Sequence, residues 1–150
     1  MRKIRAPPTA RARALMQFLA NVDVDDLQKA TRFYQSAFGL RIGRRFGADA
    51  IEMLGSSAPI YLLVKAPGSA PTSAKAEVRH YDRHWTPVHL DFVVEDLEAA
   101  VQRALNAGAT LEAPVSTTRW GKLALMVDPF GHGFCFVQFL GRGYDEIASG

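Results

Sequence analysis

VDVDDLQKA, residues 22 to 30, and FVVEDLEAA, residues 92 to 100, carry one pattern at two places in the chain. With a shift of 70 residues, Asp26 falls on Asp96, Leu27 on Leu97 and Ala30 on Ala100. In both, an alternating apolar run meets an aspartate and then a leucine. That is a strand running into a capped helix. Upstream, LMQFLANVDV (15 to 24) places Met16, Phe18, Ala20, Val22 and Val24 on one face of a strand. Downstream, Leu27, Ala30, Phe33, Tyr34 and Phe38 form a helical stripe that stops at Gly39. LRIGRRF, AIEML and PIYLLVK then read as three short strands. The second copy repeats the order. PVHLDFVV is a strand, EDLEAAVQRALNAG a helix, and TLEAPVST, KLALMVD and GFCFVQFL are strands. A repeated supersecondary unit of this kind decides the fold before any single motif does.

The sequence therefore predicts an α+β domain of two βαβββ modules, residues 14–65 and 84–140, forming one domain over 14–140. Residues 66–83, APGSAPTSAKAEVRHYDR, lack periodicity and read as a linker. Residues 141–150 form a C-terminal tail. Residues 1–13 hold Arg2, Lys3, Arg5, Arg11, Arg13 and no acid, and are expected to be a disordered basic arm. The formal net charge of +3 belongs to that arm, because the rest of the chain has 13 basic and 15 acidic residues. No basic stripe interleaved with aromatics runs through the body, which argues against nucleic acid. No apolar run reaches the length of a membrane span. ALMQFLANV is broken by Gln17 and Asn21 and lacks a cleavage site, so it reads as strand, not leader. One cysteine, Cys135, leaves no internal disulfide and fits a cytoplasmic protein.

VDVDDLQKATRFYQSAFGL, PVHLDFVVEDLEAAVQRALNAGATL and the turn-strand DPFGHGFCFVQF together resemble the vicinal oxygen chelate superfamily. It includes glyoxalase I, the bleomycin- and fosfomycin-resistance proteins, methylmalonyl-CoA epimerase and extradiol dioxygenases. The resemblance covers about residues 14 to 140. It implies paired curved mixed sheets around an open cup, and commonly a dimer. It also implies, for the family's enzymes, one divalent metal held by four residues on the first and last strands of each module. Carried over by position, those ligands fall on Leu19, Tyr61, His89 and Cys135. Only His89 keeps a family ligand. One imidazole with a tyrosine and a thiol suits hard, oxygen-activating metals poorly. The expectation is therefore no metal and no cofactor, with shifted ligands (Gln17, Glu52 or Asp91) as the minor alternative.

The residues expected to contact a ligand are Gln17, Leu19, Tyr61, His89, Asp91, Trp120 and Cys135. They make a largely apolar cup with a few polar groups, the usual composition of a small-molecule pocket. Cys135 is expected to pack as a small hydrophobe, because a catalytic thiol needs a base or cation to become thiolate. Arg44 and Arg45 should face opposite sides of their strand, with surface roles. His80 and His84 read as solvated loop residues, and His132 as structural.

The expected function is a small-molecule-binding, glyoxalase-like protein without the standard metal, and a homodimer. Whether it catalyses is left open, with metal-free chemistry by His89 or Tyr61 as one route. A metal-dependent lyase, isomerase or dioxygenase is the alternative, and a non-catalytic interaction module the second. Sequestration of a cationic drug would call for an acidic groove, which a body charge of −2 does little to supply.

Overall fold

Asp26 and Asp96 start their helices in the same way. Each carboxylate accepts a backbone N–H of the first turn, from Lys29 and Ala99 respectively, both at 2.9 Å. The helices are α1, Leu27–Phe38, and α2, Leu97–Ala107. The computed structural model describes residues 15–73 and 77–150, so the basic arm lies outside the described residues.

Around α1 the chain forms β1 (Ala20–Val24), β2 (Arg41–Phe46), β3 (Ala50–Leu54) and β4 (Ile60–Val64), paired in the order β1-β4-β3-β2. Around α2 it forms β5 (Leu90–Val93), β6 (Thr110–Leu111), β7 (Ser116–Thr117), β8 (Gly121–Val127) and β9 (Gly133–Phe139). Their order is β5-β9-β8-β6, with β7 also on β8. In each sheet the first strand lies parallel to the last, β1 to β4 and β5 to β9, and the other pairs are antiparallel. A parallel pair needs a crossover, and α1 and α2 lie on those crossovers. The α+β repeat is therefore present as the sequence predicts.

Three strand boundaries differ from the periodicity. β1 begins only at Ala20, whose N–H donates to Pro59 O at 3.0 Å. Its partner β4 starts at Ile60, so residues 15–19 have no strand to pair with, and Leu15, Met16 and Phe18 are exposed. β5 likewise begins at Leu90, one residue after His89. TLEAPVST splits into β6 and β7 around Pro114, which has no N–H to give a ladder.

One core serves both modules. α1 packs along α2. Phe38, at the end of α1, meets Phe92, Phe134 and Phe136 of the second sheet at ring-centroid distances of 4.3, 5.1 and 5.6 Å. Val24, Met53, Leu62, Leu97, Ala100, Ala124 and Met126 are fully buried in the same cluster. By alternation, Asn21, Glu52 and Tyr61 of the first sheet turn away from the helices, as do Asp91, Val93, Cys135 and Leu125 of the second.

The described part of the linker is not loose. Gly68 N–H donates to Arg79 O at 2.7 Å, and Arg79 N–H to Ser69 O at 2.9 Å. Arg79 Nε sits 2.7 Å from Asp23 Oδ2, and Tyr81 Oη donates to Lys65 O at 2.6 Å. Residues 79–84 are thereby pinned against the end of β1. A residue-poor gap at Gly131 lets them lie close. Its φ is +81°, and a Cβ there would sit 2.0 Å from the Asp82 carbonyl oxygen. No helix among the described residues is long and apolar enough to cross a membrane.

Gly39 also has positive φ (+67°) but open space around it. Gly39→Ala should therefore lose only the left-handed backbone preference, about 1 kcal/mol. Gly131→Ala should lose that plus the clash with Asp82, about 3 kcal/mol or more. Urea unfolding midpoints of the two variants measure the difference.

Candidate functional site

His89, Asp91 and Cys135 converge, and the sheet register explains why. β5 runs parallel to β9 with Asp91 opposite Cys135 and Phe92 opposite Phe136. Since Phe92, Phe134 and Phe136 enter the core, Asp91 and Cys135 share the opposite face. His89, two residues before Asp91, falls on that side, and its Nε2 lies 3.1 Å from Asp91 Oδ1. The imidazole, carboxylate and sulfur atoms of the three residues all lie within 4.8 Å of one another. His89 and Asp91 are exposed, while Cys135 is buried. Burial first, then the charge of Asp91, pushes the Cys135 thiol up to about 12. The thiol is therefore not a nucleophile at neutral pH.

Two cavities meet at His89. One, about 590 Å³, runs along β1 and is lined by Leu19, Tyr34, His84, Val88 and His132 among others. The other, about 290 Å³, is lined by Arg83, Trp85, Glu112, Leu125 and Cys135. Thr86, His89, Gly133 and Phe134 belong to both. The pair gives a largely apolar space with His89 where the two meet; Asp91, which holds the His89 ring, lines neither of them.

Of the other expected contact residues, Tyr61 and Trp120 line neither cavity. Tyr61 belongs to a network on the first sheet that sequence reading did not find. Its hydroxyl donates to Glu52 Oε2 at 2.6 Å and accepts from Arg44 Nη2 at 2.7 Å. Arg44 also donates to Glu52 through Nε at 3.1 Å to each oxygen, and through Nη2 at 2.6 Å. Hydrogen bonds from Arg44 and Tyr61 pull the Glu52 carboxyl down to about 2. The register between β2 and β3 shifts between Ile42 and Arg45, and that bulge sets Arg44 over Glu52. Gly43 makes the room, because a Cβ there would lie 2.5 Å from Glu52 Oε1. Arg45 faces the α1 side, beside Leu27 and Thr31, so the two arginines do part as expected. Arg44, however, is part of a built network and not a free surface charge. Trp120 packs on Tyr144 and Phe139, with centroids 4.9 and 6.3 Å away. Gln17 and Leu19 precede β1, and of the two Leu19 reaches the larger cavity.

The four positions implied for a metal do not fit one. Leu19 has no side-chain donor atom, Tyr61 is engaged by Glu52 and Arg44, and Cys135 offers a soft sulfur where a hard, oxygen-activating metal takes oxygen ligands. Glu52, a shifted alternative, is tied up by the guanidinium. Among the described residues, His89, Asp91 and Cys135 are the group close enough to share an ion. They come from one module only and include a thiol, unlike a four-ligand site spanning both modules.

His84 was also misjudged by sequence. It is not a solvated loop residue: its Nε2 lies 2.8 Å from His132 Nδ1, across 48 residues. No local spacing announces that contact.

Comparison with known proteins agrees with the architecture. A family model for glyoxalase-like domains matches residues 20–137. An uncharacterized protein of Mycobacterium tuberculosis is 32% identical over 129 residues, covering 77% of this chain and 69% of that protein. The anthracycline biosynthesis protein DauV of Streptomyces sp. strain C5 is 32% identical over 132 residues, 84% of this chain but 42% of its own length. Among solved structures, the fosfomycin resistance protein FosX of Listeria monocytogenes superposes with a TM-score of 0.63 at 17% identity, over 87% of this chain and 96% of that one. TioX of Micromonospora sp. ML1 gives 0.62 at 18%, over 83% and 99%. The repeat, the sheet order and the family match together place this chain in the glyoxalase-like family of the vicinal oxygen chelate superfamily.

Proposed function

We propose that this protein binds a small organic molecule at the His89–Asp91–Cys135 corner, without the family's four-ligand divalent metal centre. The observation that carries the reading is the meeting of two cavities at His89, whose ring Asp91 holds from behind and beside which Cys135 lines the smaller cavity. Asp91 orients the ring of His89, which offers its second nitrogen to a polar group of the ligand. Leu19, Val88, Leu125 and Phe134 supply apolar contact. Two similar proteins carry names that refer to small organic molecules, an anthracycline and fosfomycin, which supports this class of ligand. Compared with a metal-dependent lyase or isomerase, this reading asks nothing of Leu19 or Tyr61 that their chemistry lacks. Catalysis is not required by it.

The proposal includes a cytoplasmic homodimer. Its support is the apolar strip left bare beside the site: Phe18, Trp85, Val88 and Val93 are all exposed, Trp85 by 80%.

His89→Ala should keep the unfolding midpoint of the parent and weaken a ligand found by thermal-shift screening about tenfold, the loss of one hydrogen bond to a charged or polar group. Unchanged affinity, measured by titration calorimetry, counts against the site. Cys135 should resist iodoacetamide in the folded protein between about pH 7 and pH 9, and react at the ordinary thiol rate once unfolded in urea. Thiolate forms only as pH climbs toward the raised value near 12, so brisk labelling of folded protein at neutral pH would contradict its assigned role.

A further inference from the structure

His132 and His84 form a chain of ring nitrogens capped at both ends by backbone carbonyls. His132 Nε2 lies 2.6 Å from the carbonyl oxygen of Asp23. His132 Nδ1 lies 2.8 Å from His84 Nε2. His84 Nδ1 lies 2.9 Å from the carbonyl oxygen of Asp82. A carbonyl only accepts, so the nitrogen facing each one must carry a hydrogen. A third hydrogen must lie between the two rings, or two lone pairs would face each other at 2.8 Å. Two neutral imidazoles bring only two N–H groups. The observed contacts are all satisfied when the pair holds one proton more and carries one positive charge.

We propose that His84 and His132 together act as a proton-holding clamp that positions the 79–89 segment, the wall of the larger cavity and the lead-in to His89. The inference deepens the ligand-site reading by naming what fixes the wall, and its test needs no ligand.

A second observation supports the charge. Asp128, in the turn beside His132, is buried and forms no ion pair with a lysine or arginine among the described residues. It accepts from Tyr34 Oη at 2.9 Å and from the backbone N–H groups of Phe130 and His132 at 2.8 and 2.9 Å. Burial pushes its carboxyl up, and the facing His132 pulls it down. A positive His pair is the counter-charge that a buried carboxylate needs. The other groups around the clamp are already engaged or differ in kind. Asp23 pairs with Arg79, and Arg83 with Glu112, although Arg83 also feels Asp128. The rings of Tyr81 and His80 lie 6.5 Å from His132 and 5.5 Å from His84.

The clamp also grips the backbone. His84 N–H donates to Gly131 O at 3.2 Å, and the absence of a Cβ at Gly131 and Gly133 admits Asp82 and Arg83 against the turn. The direction of the pH effect follows from the proton count. The closed pair holds one extra proton, whereas two opened rings hold two below the ordinary imidazole range and none above it, so closure is strongest within that range and weakens as pH rises beyond it.

The test uses the full chain, from about pH 5.5 to about pH 8.5, across the ordinary imidazole range. Long-range nitrogen–proton NMR of the imidazoles should show three protonated nitrogens on the pair at the acid end, and a single shared proton lost as pH rises. Amide exchange of residues 79–84, corrected for its intrinsic pH dependence, should become about tenfold faster from about pH 6.5 to about pH 8.5. His84→Gln should abolish that pH dependence while circular dichroism stays native, and His80→Gln should leave it intact. His132→Gln gives a second reading should either variant unfold. Two rings titrating independently, or equal protection of 79–84 at about pH 6.5 and about pH 8.5, would overturn the clamp. Those outcomes leave the ligand-site reading untouched, since failure of that reading shows only in binding.

Discussion

Everything in this structure hangs on one aromatic contact, the seating of Phe38 among Phe92, Phe134 and Phe136. It joins the end of α1 to the second sheet, so two modules that could not each bury a full core share one. The helices then lie together, and each sheet keeps its other face free. On one free face the chain built the Arg44–Glu52–Tyr61 network, on the other the His89–Asp91–Cys135 corner.

Each free face gives its carboxylate side-chain partners. Glu52 is held by a guanidinium and a phenol, which leaves its oxygens little to offer a ligand. Asp91 sits between an imidazole and a thiol, and its charge helps keep the thiol protonated. The positions at which the family resemblance implies metal ligands carry Leu19, Tyr61 and Cys135 beside His89 here. In the proposed site, the second nitrogen of His89 and the surrounding hydrophobic wall are what a ligand would meet.

The repeat was legible because it is local. Asp26 and Asp96 cap helices whose stripes have a period of 3.6, and both facts are written in consecutive residues. That His89 and Cys135 share one face was implied by the family resemblance alone, and the parallel register with Asp91 opposite Cys135 agrees with it. Strand ends were less so. Periodicity runs on through Met16 and Phe18, but pairing stops where Pro59 precedes β4. Long-range polar contacts left no trace in the sequence. The bulge that turns Arg44 onto Glu52, and the meeting of His84 with His132, depend on how separate turns are packed. Trp120 is expected at the ligand because a tryptophan at a strand end looks the same in sequence whether it faces a pocket or packs, and its ring packs on Tyr144 from the C-terminal turn.

The central claim is that the corner binds organic ligands without help from the family's metal. The direct measurement is ligand-observed NMR screening of chelator-treated protein against small organic molecules, followed by mapping of the hits onto the His89 ring and Cys135 signals. The account predicts saturable binding to the metal-stripped protein, with shifts centred on those two residues. Binding that appears only after manganese, nickel, zinc or iron is restored, or that shifts residues elsewhere, would contradict it.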